Sequence, residues 1–180
     1  DADSYPVDPF LVAAKLTPDS VLSHHTALEF HGKAYSVHTH FTYSASRPLG
    51  SLTFRGHVFQ GTRFRQALLR LGKEHFGVST SERSGQKLKI TSLERTLIDV
   101  LDRPDLSGSW EEIWRSLESV EFFDLDKVVE YALLLGNATT GAKVGFFLDQ
   151  HRETLMVEDR HLHVLQDMRP RRPHYMNRSK

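Results

Sequence analysis

The residues best suited to chemistry in this 180-residue chain are basic side chains interleaved with aromatic ones between positions 33 and 90, here called the basic zone. Lys and Arg outnumber Asp and Glu there, for a net charge of 10 − 2 = +8. Ammonium and guanidinium groups donate hydrogen bonds to phosphate oxygens whatever the base sequence. We therefore predict contact with nucleic-acid phosphates, through Arg55, Arg63, Arg65, Arg70 and Lys73, with Arg171 and Arg172 of a basic tail.

A second interpretation of the basic zone is purely structural. The aromatic residues would form core, and the charges would solvate the outer faces. The formal net charge is zero because residues 91–168 carry 7 − 16 = −9 and offset the basic zone. An acidic helical block of this kind favours an alternative function, a protein-interaction or dimerisation module without DNA contact.

Histidine is the other residue type that could do chemistry. The chain has eleven, of which His24, His25, His31, His38 and His40 lie within residues 24–40. A zinc site needs three or four converging ligands, and the sequence has neither an HExxH motif nor a cysteine. We expect hydrogen-bonded histidines, no metal and no cofactor.

Enzymatic motifs are missing from the sequence. It contains no nucleophile elbow, no phosphate-binding P-loop and no dinucleotide-binding glycine motif. We name no catalytic residue and expect a protein that is not an enzyme. A nucleic-acid-processing enzyme is the second alternative function.

The elements that must position the basic side chains are predicted to be strands. Alternating apolar residues indicate a strand over residues 35–44, and hairpins are expected at Arg55-Gly56 and Ser84-Gly85. Before them, Thr17-Pro18 is typical of a helix start and predicts a helix over residues 19–30.

A strand-to-helix junction at residues 87–101 connects the two parts of the chain. Thr91 is predicted to cap the helix, with Glu94 reaching back to it in a capping box. Arg95 lies one helical turn before Asp99, a spacing that favours a structural ion pair.

Amphipathic helices follow, capped by Ser109 with Glu112 and by Asp124. The predicted fold class is α+β: N-terminal helices, a small mostly antiparallel sheet over about 36–90, and a C-terminal helical bundle over 92–168. Residues 1–9 are expected to be a linker or leader. Residues 10–168 form one domain with halves 10–90 and 91–168, and residues 169–180 form the basic tail.

The expected compartment is the cytoplasm. No apolar run approaches the ~20 residues of a membrane span. The first residues lack the basic and apolar regions of a signal peptide, and the absence of cysteine suits a reducing environment.

Three segments together resemble the AbiEi family of bacterial antitoxins. Residues 90–99, Ile-Thr-Ser-Leu-Glu-Arg-Thr-Leu-Ile-Asp, are similar to the family signature VTSxERTLxD. Residues 8–16 with 23–32 resemble its entry helices, and residues 141–148 resemble a later helix. The segment at 90–99 is the specific one.

The resemblance implies the antitoxin half of a type IV toxin–antitoxin system, in which a nucleotidyltransferase-like toxin is the functional partner. It also implies repression of the operon through operator DNA, usually with an N-terminal winged helix. No winged helix precedes residue 1, so the chain is expected to be the C-terminal antitoxin domain. A homo-oligomer is a further expectation, and the family supplies no catalytic residues.

Overall fold

In the computed structural model, which describes residues 5–168, six strands form one mixed sheet and eight α-helices accompany it. The predicted α+β class is confirmed. The predicted phosphate contacts Arg171 and Arg172 lie outside the described residues. The strands are β1 Val21–Leu22, β2 His40–Ala45, β3 Ser51–Phe54, β4 His57–Arg63, β5 Val78–Arg83 and β6 Gln86–Thr91. The helices are α1 Pro9–Lys15, α2 His24–Phe30, α3 Gln66–Leu71, α4 Leu93–Asp102, α5 Trp110–Glu118, α6 Leu125–Leu135, α7 Ala138–Gln150 and α8 Asp159–Asp167.

The strand order across the sheet is β3-β4-β2-β1-β6-β5. Three neighbouring pairs are antiparallel: β3–β4, β2–β1 and β6–β5. Two are parallel: β4–β2 and β1–β6. The expected small, mostly antiparallel sheet is thus only roughly right, because β1 comes from outside residues 36–90 and joins the two hairpins into one sheet.

The predicted helix over residues 19–30 is wrong in its first half. Thr17 begins a turn instead, in which its amide and hydroxyl bond to the Ser20 hydroxyl. Val21 and Leu22 then lie fully buried between β2 and β6, and α2 starts only at His24. Strand pairing on both sides therefore overrides the helical periodicity of this stretch.

Both predicted hairpins are confirmed. Arg55 and Gly56 join β3 to β4 with φ of 48° and 76°, and Ser84 and Gly85 join β5 to β6 with φ of 50° and 74°. Positive φ at both central residues is the geometry of two-residue turns whose twist matches that of the strands.

The strand predicted over residues 35–44 is shorter than expected, since β2 begins at His40. Its alternate residues Phe41 and Tyr43 are buried, but so are Thr42 and Ser44. Helix α2 covers the face of the sheet on which Thr42 and Ser44 lie. The Thr42 amide donates to the hydroxyl of Thr26 in α2, and the Ser44 hydroxyl donates to the hydroxyl of Ser23, the N-cap of α2.

The predicted capping box of Thr91 and Glu94 is also wrong. Thr91 is the last residue of β6, paired with Val78, and its buried hydroxyl bonds to that of Thr96. Strand pairing thus moves the start of α4 by one residue, and Ser92 caps it by accepting from the Arg95 amide. Glu94 instead accepts from the Asp124 amide at 2.9 Å, which links α4 to the start of α6.

Helices α4 to α8 surround the larger core, as the predicted bundle requires. The box of Ser109 with Glu112 and the Asp124 cap are present as predicted. Leu28 of α2 and Leu68 of α3 are also buried in this core, so the residues before 91 contribute to it. A smaller core lies between α1 and the sheet, and it includes Ala13, Leu22, Phe41, Phe59 and Ile90.

The predicted ion pair of Arg95 with Asp99 is confirmed, and both residues are buried. Arg95 is 3% exposed; its Nε lies 3.3 Å from Asp99 Oδ2, and its Nη1 donates to the carbonyls of Glu74 and Phe76. The Tyr131 hydroxyl donates to Asp99 Oδ1 at 2.5 Å, and burial raises the pKa of that tyrosine. One guanidinium thus connects α4, α6 and the segment after α3.

We expect Arg95→Met to lower the free energy of unfolding by roughly 3–5 kcal/mol, because it leaves the Asp99 carboxylate buried without its cation. Urea unfolding measures the loss. Arg115→Met is the matched control, since it also removes an (i, i+4) pair from a helix but an exposed one, and it should change stability little. Equal losses in the two variants would contradict a special role for the buried pair.

Candidate functional site

Two of the predicted basic residues, Arg63 and Arg65, lie at and just after the carboxyl end of β4. Ala45 and Arg63 are register partners at the carboxyl ends of β2 and β4. Arg63 Nε donates to the Ser46 carbonyl at 3.2 Å, and Arg65 Nε lies 3.2 Å from Asp102 Oδ2. Arg63 and Arg65 therefore belong to one cluster, with Arg95 and Arg103 beside them.

This arginine cluster (Arg63, Arg65, Arg95 and Arg103) is largely neutralised. Asp102 pairs with Arg65, Asp99 with Arg95 and Asp105 with Arg103. The cavity that the cluster encloses, with His24, measures only about 10 Å³, which is roughly the room of one water molecule. It is too small for a ligand, so Arg63 is the member that an external phosphate would meet.

Arg55 lies at the opposite end of β4. It lies in the turn before β4, and the six steps of β4 from His57 to Arg63, at ~3.3 Å per residue, put roughly 20 Å of strand between that turn and Arg63. Its Nη1 donates to the Tyr5 carbonyl at 2.6 Å, and its guanidinium lies 5.4 Å from the Phe54 ring centroid. The structure therefore does not bring Arg55 together with the arginine cluster.

Arg70 and Lys73 lie at the end of α3, on either side of the left-handed C-cap Gly72. Both side chains are exposed, and neither makes an ion pair within residues 5–168. The five predicted residues of the sheet half therefore fall at three places: the β3–β4 turn, the arginine cluster and the end of α3.

A further basic site, absent from the predicted set, lies between the end of α1 and the β5–β6 hairpin. Here Lys15, Lys87 and Lys89 line a groove of about 600 Å³, called the lysine groove below. The alternation of Leu88 and Ile90 with the lysines was the signal for the β6 residues. No sequence signal marks Lys15, which reaches β6 from 72 residues away to donate to the Lys87 carbonyl at 2.6 Å.

The expectation of hydrogen-bonded histidines holds for His24, His31 and His38 but is wrong for His25, whose two buried ring nitrogens have no hydrogen-bond partner in the described structure. His25 and His38 stack with ring centroids 3.6 Å apart, and His38 Nε2 lies 3.0 Å from Glu112 Oε1. Hydrogen bonds from Ser36, the Ser109 amide and His38 lower the pKa of Glu112 to about 2. Within residues 5–168, no three histidine or carboxylate side chains are grouped so that they could hold a metal ion.

No protein-family model matches this chain, and no curated protein matches it. Among the described residues, no helix is both long enough and apolar enough to cross a membrane.

We expect acid to destabilise the protein through His25. Burial, then the neighbouring His38, lowers the pKa of His25 from 6.5 to about 4, so the folded state keeps this ring neutral while the unfolded state protonates it. The free energy of unfolding should therefore fall by roughly 3 kcal/mol as the pH drops from 6.5 to 4. Burial lowers the pKa of His24 too, which adds to the same loss.

Urea unfolding at pH 8, 6.5, 5 and 4 checks this expectation. His25→Phe keeps a ring against His38 but removes the titrating group, so its stability should fall less over this range. The same fall in both proteins would show that His25 does not cause it.

Proposed function

We propose that this chain is the antitoxin-type domain of a type IV toxin–antitoxin system and that its sheet half contacts the phosphate backbone of operator DNA. The observation that carries the proposal is a contrast between the two halves in how their cations are used. Five of the seven cations of α4–α8 and their connections make ion pairs with carboxylates: Arg95, Arg103, Arg115, Arg152 and Arg160. The other two, Lys127 and Lys143, make none within the described residues.

In the basic zone, by contrast, several exposed cations have no carboxylate within ion-pair distance in the part of the chain that the structure describes. They are Arg47, Arg63, Arg70, Lys73, Lys87 and Lys89. Unpaired surface cations are available to replace the counterions of a nucleic acid, whereas paired ones must first lose a partner. The contrast therefore supports contact between the sheet half and phosphate.

The antitoxin role itself is supported by the resemblance of residues 90–99. In the structure, this segment is the end of β6 and the first two turns of α4, and it contains the buried pair of Arg95 with Asp99. In the proposal, operator DNA is one partner of the domain. A nucleotidyltransferase-like toxin is its functional partner.

Fluorescence anisotropy with a mixed-sequence DNA duplex across a salt series tests the phosphate contacts. Each of Arg63→Glu, Arg70→Glu and Lys73→Glu should weaken binding and reduce the slope of log affinity against log salt by about 1. Lys127→Glu is the matched control: it makes the same charge change at an exposed position of α6 and should leave the slope unchanged.

Absence of binding at low salt, or equal effects of all four reversals, would overturn the DNA contact. The antitoxin role has a separate readout, the growth of cells that express the operon's toxin with or without this chain. Failure to restore growth would overturn that part of the proposal.

A second candidate function, pairing with another copy of the chain, is favoured by an apolar groove on the bundle. Trp110 and Phe146 line it with 50% and 59% of their surfaces exposed, and the groove measures about 560 Å³. Lys143 lies 5.2 Å from the Trp110 ring and forms one wall. Exposed apolar patches mark interaction sites, and symmetric dimers use the same patch on both copies.

Sedimentation over a concentration series tests this pairing. The sedimentation coefficient should rise with concentration, and Phe146→Glu should abolish the rise. Phe122→Glu is the matched control, because Phe122 is 64% exposed but lies away from the groove. A constant monomer value at every concentration would exclude the dimer.

A further inference from the structure

The lysine groove has the dimensions of a small-molecule site. It lies where α1 gives way to the turn at Thr17, opposite the first residues of β6 and Thr80 of β5. Its volume of about 600 Å³ falls within the 300–1,000 Å³ typical of ligand pockets. Its lining comes from α1, the turn at Thr17 and the β5–β6 hairpin, whereas Arg70 and Lys73 are exposed at the end of a helix.

The charge of the groove is uniformly positive. Lys15, Lys87 and Lys89 line it, and no Asp or Glu is among its lining residues. The bond from Lys15 Nζ to the Lys87 carbonyl holds this ammonium beside the strand and uses one of its three donors. Two donors of Lys15 and all those of Lys89 are left for a ligand.

Two carboxylates beside the groove, Asp19 and Glu82, make no ion pair with these lysines in the described structure. Asp19 accepts bonds from the Thr17 hydroxyl at 3.0 Å and from the amide and hydroxyl of Ser46. Burial raises the pKa of Asp19, but these bonds outweigh it and lower that pKa overall. Glu82 is the register partner of Lys87 across the hairpin but makes no ion pair with it in the described structure. The groove thus keeps three positive charges beside hydroxyl groups.

The walls add an apolar component. Leu16 and Pro18 border the groove on the α1 side, and Thr80 faces the same side of the hairpin as its register partner Lys89. A ligand that matches the three lysines and the apolar residues beside them has a multiply charged anionic chain attached to a compact, partly apolar group. Phosphate oxygens on a chain meet the first requirement, and a nucleobase meets the second.

We propose that the lysine groove binds a nucleoside triphosphate, with Lys15, Lys87 and Lys89 contacting its phosphate oxygens. Lys87 and Lys89 also belong to the unpaired cations of the sheet half. The DNA contact is tested at Arg63, Arg70 and Lys73, however, and none of these three lines the groove.

Isothermal titration of the whole chain with ATP at low salt tests the site. Lys87→Glu/Lys89→Glu should raise the dissociation constant by about tenfold or more, because two charge-assisted contacts become repulsive. Arg70→Glu/Lys73→Glu makes the same change in net charge and should leave ATP binding within about twofold of the parent. All four residues are exposed, and circular dichroism checks that each variant folds.

Three further probes define the ligand. Tripolyphosphate should bind more weakly than ATP, and adenosine should not bind. A single-stranded oligonucleotide should fail to displace ATP. The proposal is overturned if ATP produces no heat at millimolar concentration, or if both double variants weaken ATP binding equally. It is also overturned if tripolyphosphate binds as tightly as ATP, or if the oligonucleotide displaces ATP. The DNA anisotropy of Lys87→Glu/Lys89→Glu, measured in parallel, separates failure here from failure of the DNA contact.

Discussion

The buried guanidinium of Arg95 is the interaction on which the two parts of this structure depend. Taking a charge out of water costs several kcal/mol, so the group must find partners on every side. It finds them in the Asp99 carboxylate, in two backbone carbonyls after α3 and in the face of Tyr131, 5.1 Å away. These partners belong to α4, to the segment after α3 and to α6. The contacts of this one charge therefore fix how these three segments are placed relative to one another.

The features predictable from the sequence are those decided by neighbours in the chain. The (i, i+4) pair of Arg95 with Asp99, the Ser109 capping box and the two hairpin turns all lie within a few residues, where spacing alone determines contact. Thr91 shows the limit of that logic. Its side chain suits a cap, but its pairing with Val78 across the hairpin keeps it in β6.

The candidate sites depend on contacts that spacing does not reveal. The sequence predicts that Arg65 is available for phosphate. In the structure it pairs with Asp102, which lies 37 residues further along the chain. No sequence motif marks Lys15 as a binding residue, yet its position at the end of α1 places it in contact with β6. The density of positive charge in the basic zone was visible from the sequence. Which cations keep their charge exposed depends on tertiary packing, since that packing decides where the carboxylates lie.

The two-residue strand β1 has a consequence for how the protein is made. Its two neighbours lie at very different distances along the chain: Val21 is 44 − 21 = 23 residues from its β2 partner Ser44, but 89 − 21 = 68 residues from its β6 partner Lys89. During synthesis, the β6-facing edge of β1 therefore has no partner strand until residue 90 has been added. An open strand edge is a place where another chain can pair.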